Sequence, residues 1–125
     1  MSAPTDYTKT LLGEFLLTAE TVTRPTAWYV ALFVDGTEVD GTGYVRQAVV
    51  FEEGETAGEF TNDAEVDFGT SGAAWGEVDS FGIYTADESG TLLIRQAFDV
   101  PYDIESDQIV KFAAGDLKVI ITGES

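Results

Sequence analysis

The chain contains no cysteine and no histidine. Without thiols there is no disulfide framework, no thiolate nucleophile and no cysteine-ligated zinc. Without imidazole there is no Ser-His-Asp triad and no histidine-ligated metal. Positive charge is nearly as scarce: six Lys and Arg stand against 23 Asp and Glu, for a net charge of −17. Phosphate neutralisation rests on clustered Lys and Arg, so neither nucleic acid nor an anionic membrane surface is an expected partner. No apolar run approaches the roughly 20 residues of a membrane-spanning helix. Carboxylates, hydroxyls and a few cations are what remains for chemistry. That inventory argues against an enzyme and calls for no cofactor.

Hydrophobic residues make up 44% of the 125-residue chain, enough for a real core at a length that suits one domain. Residues 1–125 read as a single β-sandwich domain, with a helical segment at 1–24 and the sandwich at 25–125. The acids are spread along the whole chain; Glu52-Glu53-Gly54-Glu55 is the densest patch. Even spreading reads as an acidic surface rather than an acidic tail. Such a surface repels itself, and concentrated salt screens that repulsion. Dispersed acids, scarce lysine and many threonines resemble the proteins of salt-accumulating halophiles, haloarchaea and their viruses in particular.

Residues 7–20 carry apolar side chains at Leu11, Leu12, Phe15, Leu16 and Ala19, one stripe of an amphipathic helix, with Thr5 or Asp6 as its N-cap. Strands follow. Residues 27–34 form a continuous apolar run ended by Asp35-Gly36, as expected of a strand covered on both faces. Residues 44–51, 64–68, 78–85 and 91–98 read as further strands, and 108–112 pairs with 117–122 as a hairpin across Ala113-Ala114-Gly115-Asp116. The pattern predicts an all-β fold: one antiparallel, jelly-roll-like β-sandwich of seven or eight strands with one N-terminal amphipathic helix.

The succession of motifs carries a resemblance. Trp28-Tyr29-Val30-Ala31-Leu32-Phe33 leads to Glu38-Val39-Asp40-Gly41-Thr42-Gly43-Tyr44-Val45-Arg46-Gln47. Next come Asn62-Asp63-Ala64-Glu65-Val66-Asp67-Phe68, Trp75-Gly76-Glu77-Val78-Asp79-Ser80-Phe81-Gly82-Ile83-Tyr84, Gly90-Thr91-Leu92-Leu93 and Phe112-Ala113-Ala114-Gly115-Asp116-Leu117-Lys118-Val119. This order resembles a family of small virion proteins of tailed phages and archaeal tailed viruses, often called tail-fibre or minor structural proteins. The resemblance covers nearly the whole chain after the helix and brings no catalytic residues with it. It implies a β-sandwich located in the virion and partnered by other virion proteins, the major capsid protein or tail proteins. The expected function is a non-enzymatic structural one, capsid decoration or cementing in a halophilic tailed virus. The alternative is a tail-fibre, baseplate or receptor-binding module recognising host surface glycans.

The candidate assembly residues are Leu11, Leu12, Phe15, Leu16, Tyr44, Arg46 and Trp75. The helix face of the first four must bury itself on its own domain, over an open sheet edge, or in a groove of a partner subunit, and a small symmetric homo-oligomer is expected. Tyr44 and Arg46 offer an aromatic and a cation of the kind favoured at interface centres; equally, a lone arginine in so acidic a chain pairs with a neighbouring acid. Trp28, inside an apolar run, is expected in the core. Trp75 ends a small-residue loop and is the better surface anchor, as a protein contact or a stacking platform for sugar. Asp35, Glu38 and Asp40 could supply oxygens to a hard cation, but the loop does not fit the EF-hand pattern and no metal site is assigned. The paired acids Glu52/Glu53, Asp87/Glu88 and Asp103/Glu105 read as solvated surface rather than glycosidase chemistry.

Overall fold

A computed structural model describes residues 2–120, and within them the chain is all-β with one N-terminal helix. Strand β1 (Ser2–Pro4) runs into α1 (Asp6–Leu17), which Thr5 caps through its side chain. The helix ends at Leu17, with Thr18 as its C-cap, three residues short of the expected span at Glu20. β2 (Tyr29–Val34) is buried from Val30 through Phe33, so a continuous apolar run has indeed become a strand covered on both faces. Asp35 and Gly36, both at positive φ (49° and 85°), turn it back into β3 (Thr37–Glu38) with Val34 opposite Thr37. A two-residue Asp-Gly loop of this kind matches the twist of the strands it joins.

β4 (Gln47–Ala48), β5 (Phe51–Glu53), β6 (Glu59–Asn62), β7 (Val66–Thr70), β8 (Gly76–Tyr84), β9 (Leu92–Ile104), β10 (Ile109–Phe112) and β11 (Lys118–Ile120) complete the described strands. One large sheet runs β1-β9-β8-β2-β3, with β4 on β2. The others are the pair β10-β7 and the triplet β11-β6-β5. Every described pairing is antiparallel. All three sheets feed one apolar core: Leu32, Phe81 and Ile83 from the large sheet, Phe68 and Phe112 from the pair, and Val119 from the triplet.

Three readings of the sequence change. Residues 44–51 are not one strand. β4 pairs with β2 in the large sheet, whereas β5 pairs with β6, so the chain crosses from one layer to the other between Ala48 and Phe51. Residues 108–112 and 117–122 do not form a hairpin either. β10 pairs with β7 and β11 with β6, and residues 121 and 122 lie outside the described range. The reason is the nearly inaccessible Asn62. Its Oδ1 accepts from the Gly115 and Leu117 N–H groups (3.0 and 2.9 Å), and its Nδ2 donates to the carbonyls of Ala113 and Ala64 (3.1 and 2.8 Å). The connecting turn is therefore sewn onto the end of β6, which directs its two flanking strands to different neighbours.

Finally, β9 is longer than expected. It continues through Pro101 because Phe98, Asp99, Val100 and Pro101 all fall between the Ser80–Ala97 and Val78–Tyr102 pairs, a bulge opposite Asp79. A proline without an N–H is tolerated at such a bulge.

Candidate assembly surface

The seven candidate residues divide into two groups with opposite fates. Tyr44, Arg46 and Trp75 are turned into the molecule. Arg46 forks onto Glu38, with Nε donating to Oε2 and Nη2 to Oε1, each at 2.8 Å. Its Nη1 donates to the carbonyls of Ala86 and Ser89 (3.0 and 2.7 Å), and its guanidinium carbon lies 3.6 Å above the Tyr84 ring. Every side of the group is thus occupied, as a planar five-donor cation allows. Tyr44 donates its hydroxyl proton to Glu38 Oε2 (2.7 Å) and accepts from the Leu32 N–H (3.0 Å). The network ties the edge of the large sheet to the turn joining β8 and β9.

Arg46 above all, then the Tyr44 hydroxyl, holds the Glu38 carboxyl below its ordinary range, against the opposing effect of burial. Burial first, then the bond to Glu38, pushes the Tyr44 phenol up, and burial also raises Tyr84. Arg46 is therefore an internal staple, which corrects its reading as an assembly contact. Glu38 is withdrawn from the Asp35, Glu38, Asp40 oxygen set by the same pairing. In front of the staple lies an open cleft of ≈ 580 Å³, with Asp40, Val45, Asp87 and Glu88 on its walls.

Trp75 is corrected as well. It is buried at 6% exposure, packs edge-on to Tyr44 with ring centroids 5.5 Å apart, and donates its indole N–H to the Thr42 carbonyl (3.0 Å). Gly41 makes room for it, since a Cβ there would lie 2.6 Å from the Trp75 ring. Gly43, at φ +86°, lets the loop turn against Thr70 and Gly72. An indole in this position offers no platform to a sugar or a partner. Trp28, expected in the core, is half-buried and packs against it.

Leu11, Leu12, Phe15 and Leu16 fare differently. Nothing on α1 is buried. Leu11 is half-buried, but Leu12 is 40% exposed, Phe15 70% and Leu16 69%. Among the described residues, only the Leu11 end of the stripe is partly covered, and Leu12, Phe15 and Leu16 face outward. Tyr7 and Leu17, absent from the sequence-based set, are exposed beside it. Among the described residues, hydrogen bonds fasten the helix to the sheet at its first turn: Thr5 Oγ1 donates to the Leu92 carbonyl (2.7 Å) and Thr8 Oγ1 to the Leu93 carbonyl (2.6 Å). β1 supports that anchorage by pairing with β9 from Ser2 opposite Gln96 to Pro4 opposite Ile94. The result is an arm held at its root with an apolar face outward. A contiguous exposed apolar patch marks an interaction site.

The lysines are drawn to acids instead. Each lysine lies beside an acid: Lys9 by Asp6 (3.4 Å), Lys111 by Glu65 (4.0 Å) and Lys118 by Glu59 (3.6 Å).

No curated protein matches the chain. A family model does, the one described as Podophage GP4 fiber I protein gp80, and it matches residues 3–120, so α1 and every strand from β2 to β11 lie inside the match. The chain belongs to this podophage fibre family and is thereby a virion structural protein.

Proposed function

We propose that the protein is a non-enzymatic building block of a viral tail fibre, joined to its neighbours in the virion through the exposed face of α1. The observation that carries this reading is the row of exposed Leu12, Phe15 and Leu16 on a helix with no buried residue, hydrogen-bonded to β9 through Thr5 and Thr8. Burying such side chains at a subunit contact is the usual source of assembly energy, and acids around the rim are screened by salt. The name of the family supports a fibre over a capsid-decorating role.

The test is incorporation. Phe15→Asp and Leu12→Asp are expected to leave the sandwich folded, because neither side chain enters the core, and to abolish entry into particles. Normal incorporation of a folded variant overturns the docking role of the helix. Copy number, from quantitative mass spectrometry of purified particles normalised to the major capsid protein, separates the two virion locations. A handful of copies supports the fibre; copies scaling with the capsid lattice support decoration instead.

A further inference from the structure

We propose that β1 and α1 form one arm that detaches from β9 as a unit while the rest of the fold stays closed, a removable cover on the edge of the large sheet.

The described contacts that hold the arm are few and mostly polar. β1 contributes three residues to the sheet, and one of them, Pro4, has no N–H to give. Next to that pairing, the Thr5 N–H donates to the Leu93 carbonyl (3.0 Å), and the Thr5 and Thr8 hydroxyls reach the carbonyls of Leu92 and Leu93. On α1 itself Thr8, Leu11, Gly13 and Glu14 are half-buried and every other residue is exposed. Leu11 is thus the one large apolar side chain of the helix that is even partly covered. Burial of apolar surface is the main force that holds elements together, and here there is little of it.

The chain on either side of this contact permits the movement. Residues 18–28 form neither helix nor strand, and 18–21 are exposed, so a tether rather than a packed connection joins α1 to β2. β9 does not need the arm to stay in place, because β8 pairs with it along its other side at Leu92, Ile94, Arg95, Gln96 and Ala97. A segment with few buried apolar contacts, set against a well-paired strand, opens on its own. Once off the sheet, a helix of 12 residues is marginal in water, so its amides exchange through the same event. The event uncovers the β9 backbone at Ile94, Arg95 and Gln96, together with the Leu92 and Leu93 carbonyls. An unpaired edge of this kind is a template for a further strand.

The experiment is native-state amide hydrogen exchange of the full chain, followed residue by residue by NMR. The amides of Thr5 and of residues 9–17 are expected to share one opening and to be less protected than those of β8 by on the order of 100-fold or more. Thr8→Val keeps the shape of the side chain and removes its bond to Leu93. It should speed exchange at Thr5 and at residues 9–17 by one common factor, about 3–10-fold for a single hydrogen bond. Protection in β8 should not change, which also shows that the variant is folded. Protection of α1 equal to that of β8 overturns the proposal, because the arm then opens only with the core. A Thr8→Val effect confined to amides beside position 8, with Thr5 unmoved, overturns it too, because the helix then frays piecemeal while β1 stays in the sheet.

Discussion

Arg46 and Glu38 meet through two parallel hydrogen bonds of 2.8 Å, with only 10% of the arginine side chain and 24% of the carboxylate left exposed. Removing one partner strands the other in a poorly hydrated place. Arg46→Ala should therefore cost about 2–4 kcal/mol, below the full penalty for a deeply buried pair because water still reaches Glu38. Arg46→Lys should recover only part of this, since an ammonium cannot fork onto the carboxylate, reach the Ala86 and Ser89 carbonyls and cover Tyr84 at once. Chemical denaturation of the two variants measures both. Equal stability of Arg46→Ala and the natural protein would remove the staple from the account.

The same network sets a pH dependence at both ends of the scale. The Glu38 carboxyl is held below its ordinary range in the folded state, so its contribution is complete above the unfolded carboxylate value and is lost as pH falls through the folded one. Tyr44 is the mirror case. Its phenol is raised on folding, so that contribution is complete below about pH 10 and fades as pH climbs past the unfolded value. Thermal melts should show the gap between the natural protein and Glu38→Gln closing in acid, and the gap to Tyr44→Phe closing in alkali. A gap that is constant with pH would contradict the assigned partners.

Asn62 carries four side-chain hydrogen bonds at 1% exposure, two given and two received. Asn62→Ala leaves the buried Leu117 N–H without its partner and removes three part-buried bonds, and should cost about 1–3 kcal/mol. Asn62→Asp keeps the shape but turns a donor toward two carbonyls into an acceptor. It should be clearly destabilising at neutral pH and less so in acid, where the protonated carboxyl can donate once. Loss of amide protection at Gly115 and Leu117 in hydrogen exchange would locate the damage.

Much of this molecule was legible in its sequence where burial has a one-dimensional signature. The run Val30-Ala31-Leu32-Phe33 announced a strand covered on both faces, and the spacing of Leu11, Leu12, Phe15 and Leu16 announced an amphipathic helix. Pairing partners were not legible. The turn at Ala113-Ala114-Gly115-Asp116 reverses the chain as its composition suggests, but the choice between a hairpin and two separate neighbours belongs to Asn62, 51 residues away from Ala113. Nor does any local pattern mark the crossing between β4 and β5, because both are short and exposed on one side. Among the candidate residues, Trp75 misled because a flexible-looking loop preceded it; Gly41, more than 30 residues earlier, is what lets the indole sink. The scarcity of cations was the better guide to Arg46, since an arginine among so many acids finds one.

The acidic surface makes the last prediction. At net −17 the folded chain holds like charges closer together than the unfolded chain does, and only four described ion pairs offset them, those of Lys9 and Lys111 well exposed and that of Lys118 partly so. Such exposed pairs contribute about 0–1 kcal/mol each, so they do not cancel the repulsion. Raising salt from 0.1 to 1 M shortens the screening length from ~10 Å to ~3 Å, below the usual spacing of surface carboxylates. The thermal midpoint should therefore climb by several degrees across that range. Salt also strengthens apolar burial in general, so the electrostatic share needs its own control. Glu52, Glu53 and Glu55 are all exposed, on β5 and the turn that follows it. Replacing all three by Gln should raise the midpoint at low salt and shrink the climb. If the triple variant climbs as steeply as the natural protein, the salt effect arises from apolar burial, and the acidity of this chain has a purpose other than life in concentrated salt.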